Sequence, residues 1–297
     1  MSIKSEATAI AAAPSRNADF VALAKPRLNM LVVVSSVAGY VMGGGDTHDV
    51  LRLTAVALGT GLVAGGASAF NQVIERETDS LMHRTRLRPM ADRRLAIREA
   101  LIFGAVLTVI GLAVLAAGAN TLSALVALLT LLSYAVVYTP LKKVSSFATV
   151  VGAIPGALPP VIGWAAAQDE LSRGAWVLFA IVFLWQLPHF LAIAWIYRED
   201  YARAGLPMLP VIDPDGRSTA RQSVIYAAAL LPVSLAPTLV GMAGTVYFAG
   251  ALVLSLAFVW LAVRFGMSRS VADARRLFFG SITYLPLLWV LMIVNRT

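Results

Sequence analysis

Residues 51–89 read LRLTAVALGTGLVAGGASAFNQVIERETDSLMHRTRLRP. The first twenty of these carry one charge, Arg52, and the next nineteen carry seven. An apolar run of about 20 residues is long enough to cross about 30 Å of hydrocarbon as a helix. The sudden charge after it marks a membrane boundary. Within the charged part, Asn71, Glu75 and Asp79 recur every fourth residue. On a helix that spacing drifts by only about 40° per step, so the three face one way along roughly 12 Å of axis. Arg84, Arg86 and Arg88 follow, and Pro89 closes the run. Acceptor oxygens on one face, then guanidinium groups, suit a metal–diphosphate held where water meets lipid.

The composition agrees with the boundary. The chain has 297 residues, of which 59% are apolar and 13% charged, and its mean hydropathy is +0.77. A soluble domain carries about 25% charged residues. The apolar runs are continuous and near twenty residues, not alternating segments of about ten, which predicts an all-α polytopic bundle and not a membrane barrel. The absence of cysteine excludes disulfides, thiolate metal sites and cysteine nucleophiles. The net charge of +8 sits in loops between apolar runs, with no separate basic run to bind nucleic acid.

Nine spans are expected, at about 28–43, 51–71, 99–118, 121–139, 146–166, 174–196, 221–241, 245–264 and 276–294. The fifth contains Pro155, Pro159 and Pro160, which predicts a kink. Segments 1–27, 72–98, 140–145, 197–220 and 264–276 hold 20 of the 24 Lys and Arg. The positive-inside rule makes that side cytoplasmic, with the N-terminus inside and the C-terminus outside. The expected organisation is a polar cytoplasmic segment over 1–27, without the apolar core of a secretory signal, and one transmembrane domain over 28–297. A bacterial inner membrane is the simplest setting.

Two loops on the charged side are long: 72–98 and 197–220. The second reads YREDYARAGLPMLPVIDPDG over 197–216. Glu199 and Asp200 lie one turn beyond the sixth span, flanked by Tyr197 and Tyr201. Gly205-Leu206-Pro207 ends any helix there, and Asp213-Pro214-Asp215-Gly216 is a turn signal. Mg²⁺ prefers carboxylate and amide oxygens and binds through one or two carboxylates plus substrate phosphates. Asn71, Glu75 and Asp79 in one cluster, with Asp200 and Glu199 in another, fit that task. Arg84 and Arg88, four apart, suit bidentate contact with phosphate oxygens. An ordinary solvated loop would explain the arginines but not a stripe of acceptors leaving an apolar span on one helical face.

The pattern NxxxExxxDxxMxRTxxRP over 71–89, with YxxDYxxAGxPMLP over 197–210, resembles the protohaem IX farnesyltransferases (haem O synthases) of the UbiA-type intramembrane prenyltransferase superfamily. The resemblance implies nine transmembrane helices around a central cavity, with both motifs facing the cytoplasm. It implies farnesyl diphosphate and haem B as substrates, Mg²⁺ as cofactor, and contact with membrane lipid. It also implies a downstream haem A synthase or oxidase assembly proteins as partners. Carried over, Asn71, Glu75, Asp79 and Asp200 are metal-side residues, and Arg84 and Arg88 are the basic positions. The wider superfamily usually has several aspartates in the second motif. Tyr197 and Tyr201 stand in two of those places here, so that one carboxylate plus tyrosine hydroxyls is expected to serve substrate binding in place of the full set.

Other polar residues near the spans allow two readings each. Lys142 and Lys143, after Tyr138-Thr139-Pro140, either contact diphosphate or haem propionate or anchor the loop by charge. His189 in the sixth span, after Pro188, either contacts haem or makes an inter-helix hydrogen bond. Phe70, Phe183, Trp185, Phe190 and Trp195 either line a dry cavity or pack the core. Two rival functions remain: prenyl transfer to another aromatic or quinone-precursor acceptor, and ion-coupled transport. Transporters place ionisable groups near the bilayer midplane, whereas these carboxylates gather at the ends of spans.

Overall fold

The computed structural model describes residues 14–297. Among them the regular elements are all helices, apart from one antiparallel bridge between Ala243 and Arg296. In order they are α1 (Arg16–Ala24), α2 (Pro26–Met42), α3 (Val50–Ile74), α4 (Arg76–Leu81), α5 (Ile97–Gly118) and α6 (Thr121–Leu132). A π-helical stretch, Ser133–Tyr138, leads into α7 (Thr139–Leu141). Then come α8 (Ala148–Ala157), α9 (Pro159–Gln168), α10 (Arg173–Ile196), α11 (Arg198–Arg203) and α12 (Leu209–Ile212). The chain finishes with α13 (Arg217–Leu239), α14 (Thr245–Ser268) and α15 (Val271–Val294). Nine helical stretches among the described residues are long and apolar enough to cross a membrane.

The spans begin where the local chemistry favours a helix start. The Asp49 side chain accepts the Arg52 N–H at 3.0 Å, and Asn120 accepts the Ser123 N–H at 2.8 Å. Ser270 accepts the Asp273 N–H at 3.1 Å. Each satisfies a donor that the first turn leaves free. The kink expected in the fifth span falls at Leu158, between Pro155 inside α8 and Pro159 at the start of α9. The fourth span carries an irregularity that its composition did not announce: the π-helical turn before Thr139.

Helices without a hydrophobic drive to associate in lipid rely on close packing at small residues. α3 and α5 meet through Gly59 and Gly111: a Cβ at Gly111 would stand 2.8 Å from the Gly59 carbonyl oxygen. Buried side chains of α10 and α15, including Leu178, Ile181, Trp185, Leu288 and Trp289, belong to the largest core cluster. Outward-facing residues such as Ile102, Val109, Leu129, Val253 and Val290 are exposed and apolar, as a lipid-facing surface requires.

The N-terminal segment does more than its polar composition suggests. Residues 1–13 lie outside the described part. From Arg16 the chain is helical, and α1 packs with Leu23 fully buried and Asp19 nearly so. Arg94 holds Asp19 with its Nε 3.0 Å from Oδ1, tying α1 to the loop before α5. Lys25 joins α1 to α2 in the left-handed conformation, φ 49° and ψ 55°, and Pro26 opens α2. Such backbone is strained for a non-glycine residue.

Candidate diphosphate site

α3 stops at Ile74, and α4 starts at Arg76. The chain bends at Glu75 but keeps its i→i+4 bonds: Glu75 N–H donates to Asn71 O at 2.9 Å and Asp79 N–H to Glu75 O at 2.7 Å. The expected stripe therefore survives the break, and Asn71, Glu75 and Asp79 are all buried.

Each acceptor on the stripe meets a different cation. Lys25 Nζ donates to Asn71 Oδ1 at 3.3 Å. Lys142 Nζ lies 2.8 Å from Glu75 Oε1. Arg88 Nη1 lies 2.7 Å from Asp79 Oδ2. Burial pushes the Glu75 carboxyl up, but the charges of Lys142, Lys25 and Arg88 outweigh it and hold the group below its ordinary value. Burial pushes the Lys142 ammonium down, while neighbouring Tyr138 and Glu75 push it up, leaving it well above the ordinary lysine value.

Asp79 is only half satisfied. Its Oδ1 is buried and has no hydrogen-bond partner. A buried, unpaired carboxylate oxygen is costly and seeks a cation or donor. Among the described residues no three His, Cys, Asp or Glu side chains converge on one point. A metal here needs one or two carboxylates plus phosphate oxygens, the set typical of Mg²⁺. Asp79, Glu75 and the Asn71 amide supply the right donor chemistry for that.

The second loop meets the first. Asp200 is buried. Its Oδ2 accepts the Arg84 backbone N–H at 3.3 Å, and Arg203 pairs with Oδ1. Burial raises this carboxyl, the N–H groups of Arg84 and His83 and the Arg203 charge lower it, and the result is below its ordinary value. The Arg84 guanidinium stands 5.2 Å above the Tyr197 ring, with Nη2 3.5 Å from the Tyr201 hydroxyl. Glu199 is exposed. Gly205, with φ +67°, follows α11 where a helix end was expected.

Of the two lysines, Lys142 belongs to the cluster. Lys143 is exposed and donates to Ile74 O at 3.3 Å, covering the free carbonyl end of α3. His189 lies away from the cluster, between α10 and α15. Its Nδ1 is 2.7 Å from Ser281 Oγ, and its ring stacks on Trp185 and Phe278 at 5.3 and 5.1 Å. Several of the aromatic residues pack as core. Trp195 meets Phe265, and Trp185 donates to Ser281 O at 2.8 Å.

Two parts of the site escaped the spacing argument. Lys25 reads as one more boundary lysine; only the Lys-Pro pair hints that its backbone leaves the helical region. Thr139 accepts from Asn71 Nδ2 at 3.4 Å and donates to Tyr134 O at 2.8 Å. Tyr138 lies beside Lys142, whose Nζ is 5.5 Å from its ring centre. The π-helical turn brings Tyr138, Thr139 and Lys142 to one place, and such turns occur often at functional sites.

Among the described residues, nine helices able to cross a membrane, with buried acceptors and cations gathered beside the end of one of them, suit a membrane-embedded transferase. The chain belongs to the UbiA prenyltransferase family, whose model matches residues 32–284. Its relatives narrow the class. The protoheme IX farnesyltransferase of Solibacter usitatus is 50% identical over 287 residues, covering 94% of this chain and 98% of the relative. That of Koribacter versatilis is 44% identical, covering 94% and 93%. Among solved structures, a digeranylgeranylglyceryl phosphate synthase shares the fold with a TM-score of 0.78 at 15% identity, covering 94% of this chain and 98% of that one. A UbiA homologue from Aeropyrum pernix K1 shares it with a TM-score of 0.71 at 21% identity, covering 89% and 97%. A homologue from Archaeoglobus fulgidus bound to GPP and Mg²⁺ has a TM-score of 0.62 at 17% identity, covering 92% and 99%.

Proposed function

We propose that this enzyme transfers the farnesyl group of farnesyl diphosphate to a vinyl group of haem B, adds water, and releases diphosphate. The observation that carries the donor half is the buried, unpartnered Asp79 Oδ1 on a stripe whose other acceptor atoms are met by Arg88, Lys142 and Lys25. The acceptor half is supported by the curated relatives, named protoheme IX farnesyltransferase and similar over nearly the whole chain.

Asp79, Glu75 and Asn71 would hold Mg²⁺, which when bound would supply Lewis-acid stabilisation of the leaving diphosphate. The cations of the site act on the same charge. As the bond between farnesyl C1 and oxygen breaks, Arg88, Lys142 and Lys25 face the growing negative charge on the diphosphate. Fixed cations in a low-dielectric site stabilise it without reorganising. The terminal vinyl carbon then forms a bond to C1. The cation left on the adjacent carbon takes the oxygen of water, which loses a proton. Water must be kept from the allylic cation until the carbon–carbon bond forms. His189, with Nδ1 committed to Ser281, offers Nε2 to haem. The charged loops face the cytoplasm of a bacterial inner membrane, where farnesyl diphosphate is delivered, and the product passes to a haem-modifying or oxidase-assembly partner.

Incubation of the purified protein with haem B, farnesyl diphosphate and Mg²⁺ tests this directly. Mass spectrometry should show a haem heavier by farnesyl plus water. Prenylation of a hydroxybenzoate in place of haem refutes the acceptor. The absence of any metal-dependent diphosphate release refutes the donor.

A further inference from the structure

Asp200 and Asp79 are both buried carboxylates at this end of the bundle, but they are used differently. Asp79 leaves Oδ1 without a partner. Asp200 leaves neither oxygen free: Oδ2 takes the Arg84 N–H, Oδ1 takes Arg203, and the His83 N–H also points to this carboxylate. The Arg84 and His83 N–H donors come from the backbone of the other loop. A metal ligand at this position would have to give up those bonds and leave the amides unpaired.

The neighbours of Asp200 act on the same segment. Met82 is buried in an apolar cluster with Ala194, Tyr201, Ala204, Leu206 and Met208. Arg84 lies over Tyr197 and reaches Tyr201. Three different kinds of contact, a carboxylate on backbone amides, an apolar plug and a cation on aromatic rings, fasten residues 82–84 to α10 through α12. The other end of this short turn is fixed at the stripe. Thr85 Oγ1 donates to Asp79 O at 2.9 Å, and Arg88 pairs with Asp79 Oδ2. The turn thus bridges the second loop to the carboxylate that is left half satisfied.

We propose that Asp200 is a positioning residue and not a metal ligand: with Met82, Tyr197 and Tyr201 it clamps the turn 82–88, so that Arg88 is held at Asp79. The inference rests on the diphosphate site proposed above. Under it, the first loop alone supplies protein ligands to the metal, and the second loop binds the first loop in place of binding cation.

The test compares wild type, Asp200→Asn, Met82→Ala and Asp79→Asn as full-length protein in lipid nanodiscs. Mn²⁺ binding in the presence of inorganic diphosphate is titrated by electron paramagnetic resonance. Amide exchange over 82–88 is followed by mass spectrometry, and kcat and KM for farnesyl diphosphate are measured. Asparagine keeps one acceptor but loses the charge, so exchange in Asp200→Asn should rise about tenfold. Met82→Ala should raise exchange over the same amides, since it loosens the same clamp without touching a polar group. Both should raise KM more than they lower kcat, with Mn²⁺ affinity changed alike and by no more than about threefold, while Asp79→Asn loses about tenfold or more. A loss of Mn²⁺ affinity in Asp200→Asn that Met82→Ala does not share overturns the clamp. Unchanged exchange over 82–88 in Asp200→Asn overturns it too. Full Mn²⁺ affinity in Asp79→Asn is a different outcome, and refutes the diphosphate site itself.

Discussion

Replacing Lys142 by glutamine removes one partner of the pair with Glu75. The two side chains are 17% and 8% exposed, and the ion pair is 2.8 Å long. An exposed pair contributes about 0–1 kcal/mol. Breaking a buried one costs about 3–5 kcal/mol, because the remaining charge is left unpaired in a poor solvent. In the wild type, burial pushes the Glu75 carboxyl up, and Lys142 is the foremost of the groups that bring it below its ordinary value. A lowered carboxylate pKa gives stability that is present above the unfolded value, about 4.3, and lost as pH falls through the folded value. The raised Lys142 pKa gives stability that is present below about 10.4 and lost as pH rises through the folded value. In Lys142→Gln the Glu75 carboxyl moves up, since burial loses its main opponent. The deficit of the variant is therefore largest near about pH 8 and shrinks toward about pH 5 as Glu75 takes a proton. Thermal unfolding in detergent, followed by tryptophan fluorescence, should show a midpoint roughly 10 °C lower at the higher pH. Adding Glu75→Gln should restore most of the loss, because no buried charge is then left alone. A deficit independent of pH, or a double variant no more stable than Lys142→Gln, refutes the reasoning.

Three further outcomes are expected. Asp79→Ala should lower turnover by about 10²-fold or more, measured as farnesylated haem formed per enzyme; full turnover refutes its place in the site. His189→Ala should weaken haem binding by about tenfold, while diphosphate binding stays unchanged; an unaltered haem titration counts against haem contact at His189. Gly111→Val should destabilise the bundle by about 1–3 kcal/mol, since even a Cβ would stand 2.8 Å from the Gly59 carbonyl oxygen; an unchanged unfolding midpoint refutes close α3–α5 contact.

The legible part of this protein was local. Nine spans follow from hydropathy because a helix in lipid must be apolar over its whole crossing. The stripe of Asn71, Glu75 and Asp79 follows from helical period, and it survives the bend at Glu75 because the i→i+4 bonds continue through it. The kink of the fifth span follows from its prolines.

What tertiary structure alone decided is which group meets which. Lys25 reaches Asn71 across 46 residues, Lys142 reaches Glu75 across 67, and Asp200 reaches the Arg84 amide across 116. No local period encodes such pairs. They depend on how helices pack and on two features that composition hides: the left-handed turn at Lys25 and the π-helical turn before Thr139. The sequence by itself determined a membrane bundle with an acceptor stripe at one end, because hydropathy and helical period are properties of adjacent residues. Packing decided that each acceptor has its own cation, that one oxygen of Asp79 has none, and that Asp200 is turned toward a backbone, because those are properties of surfaces brought together from distant parts of the chain.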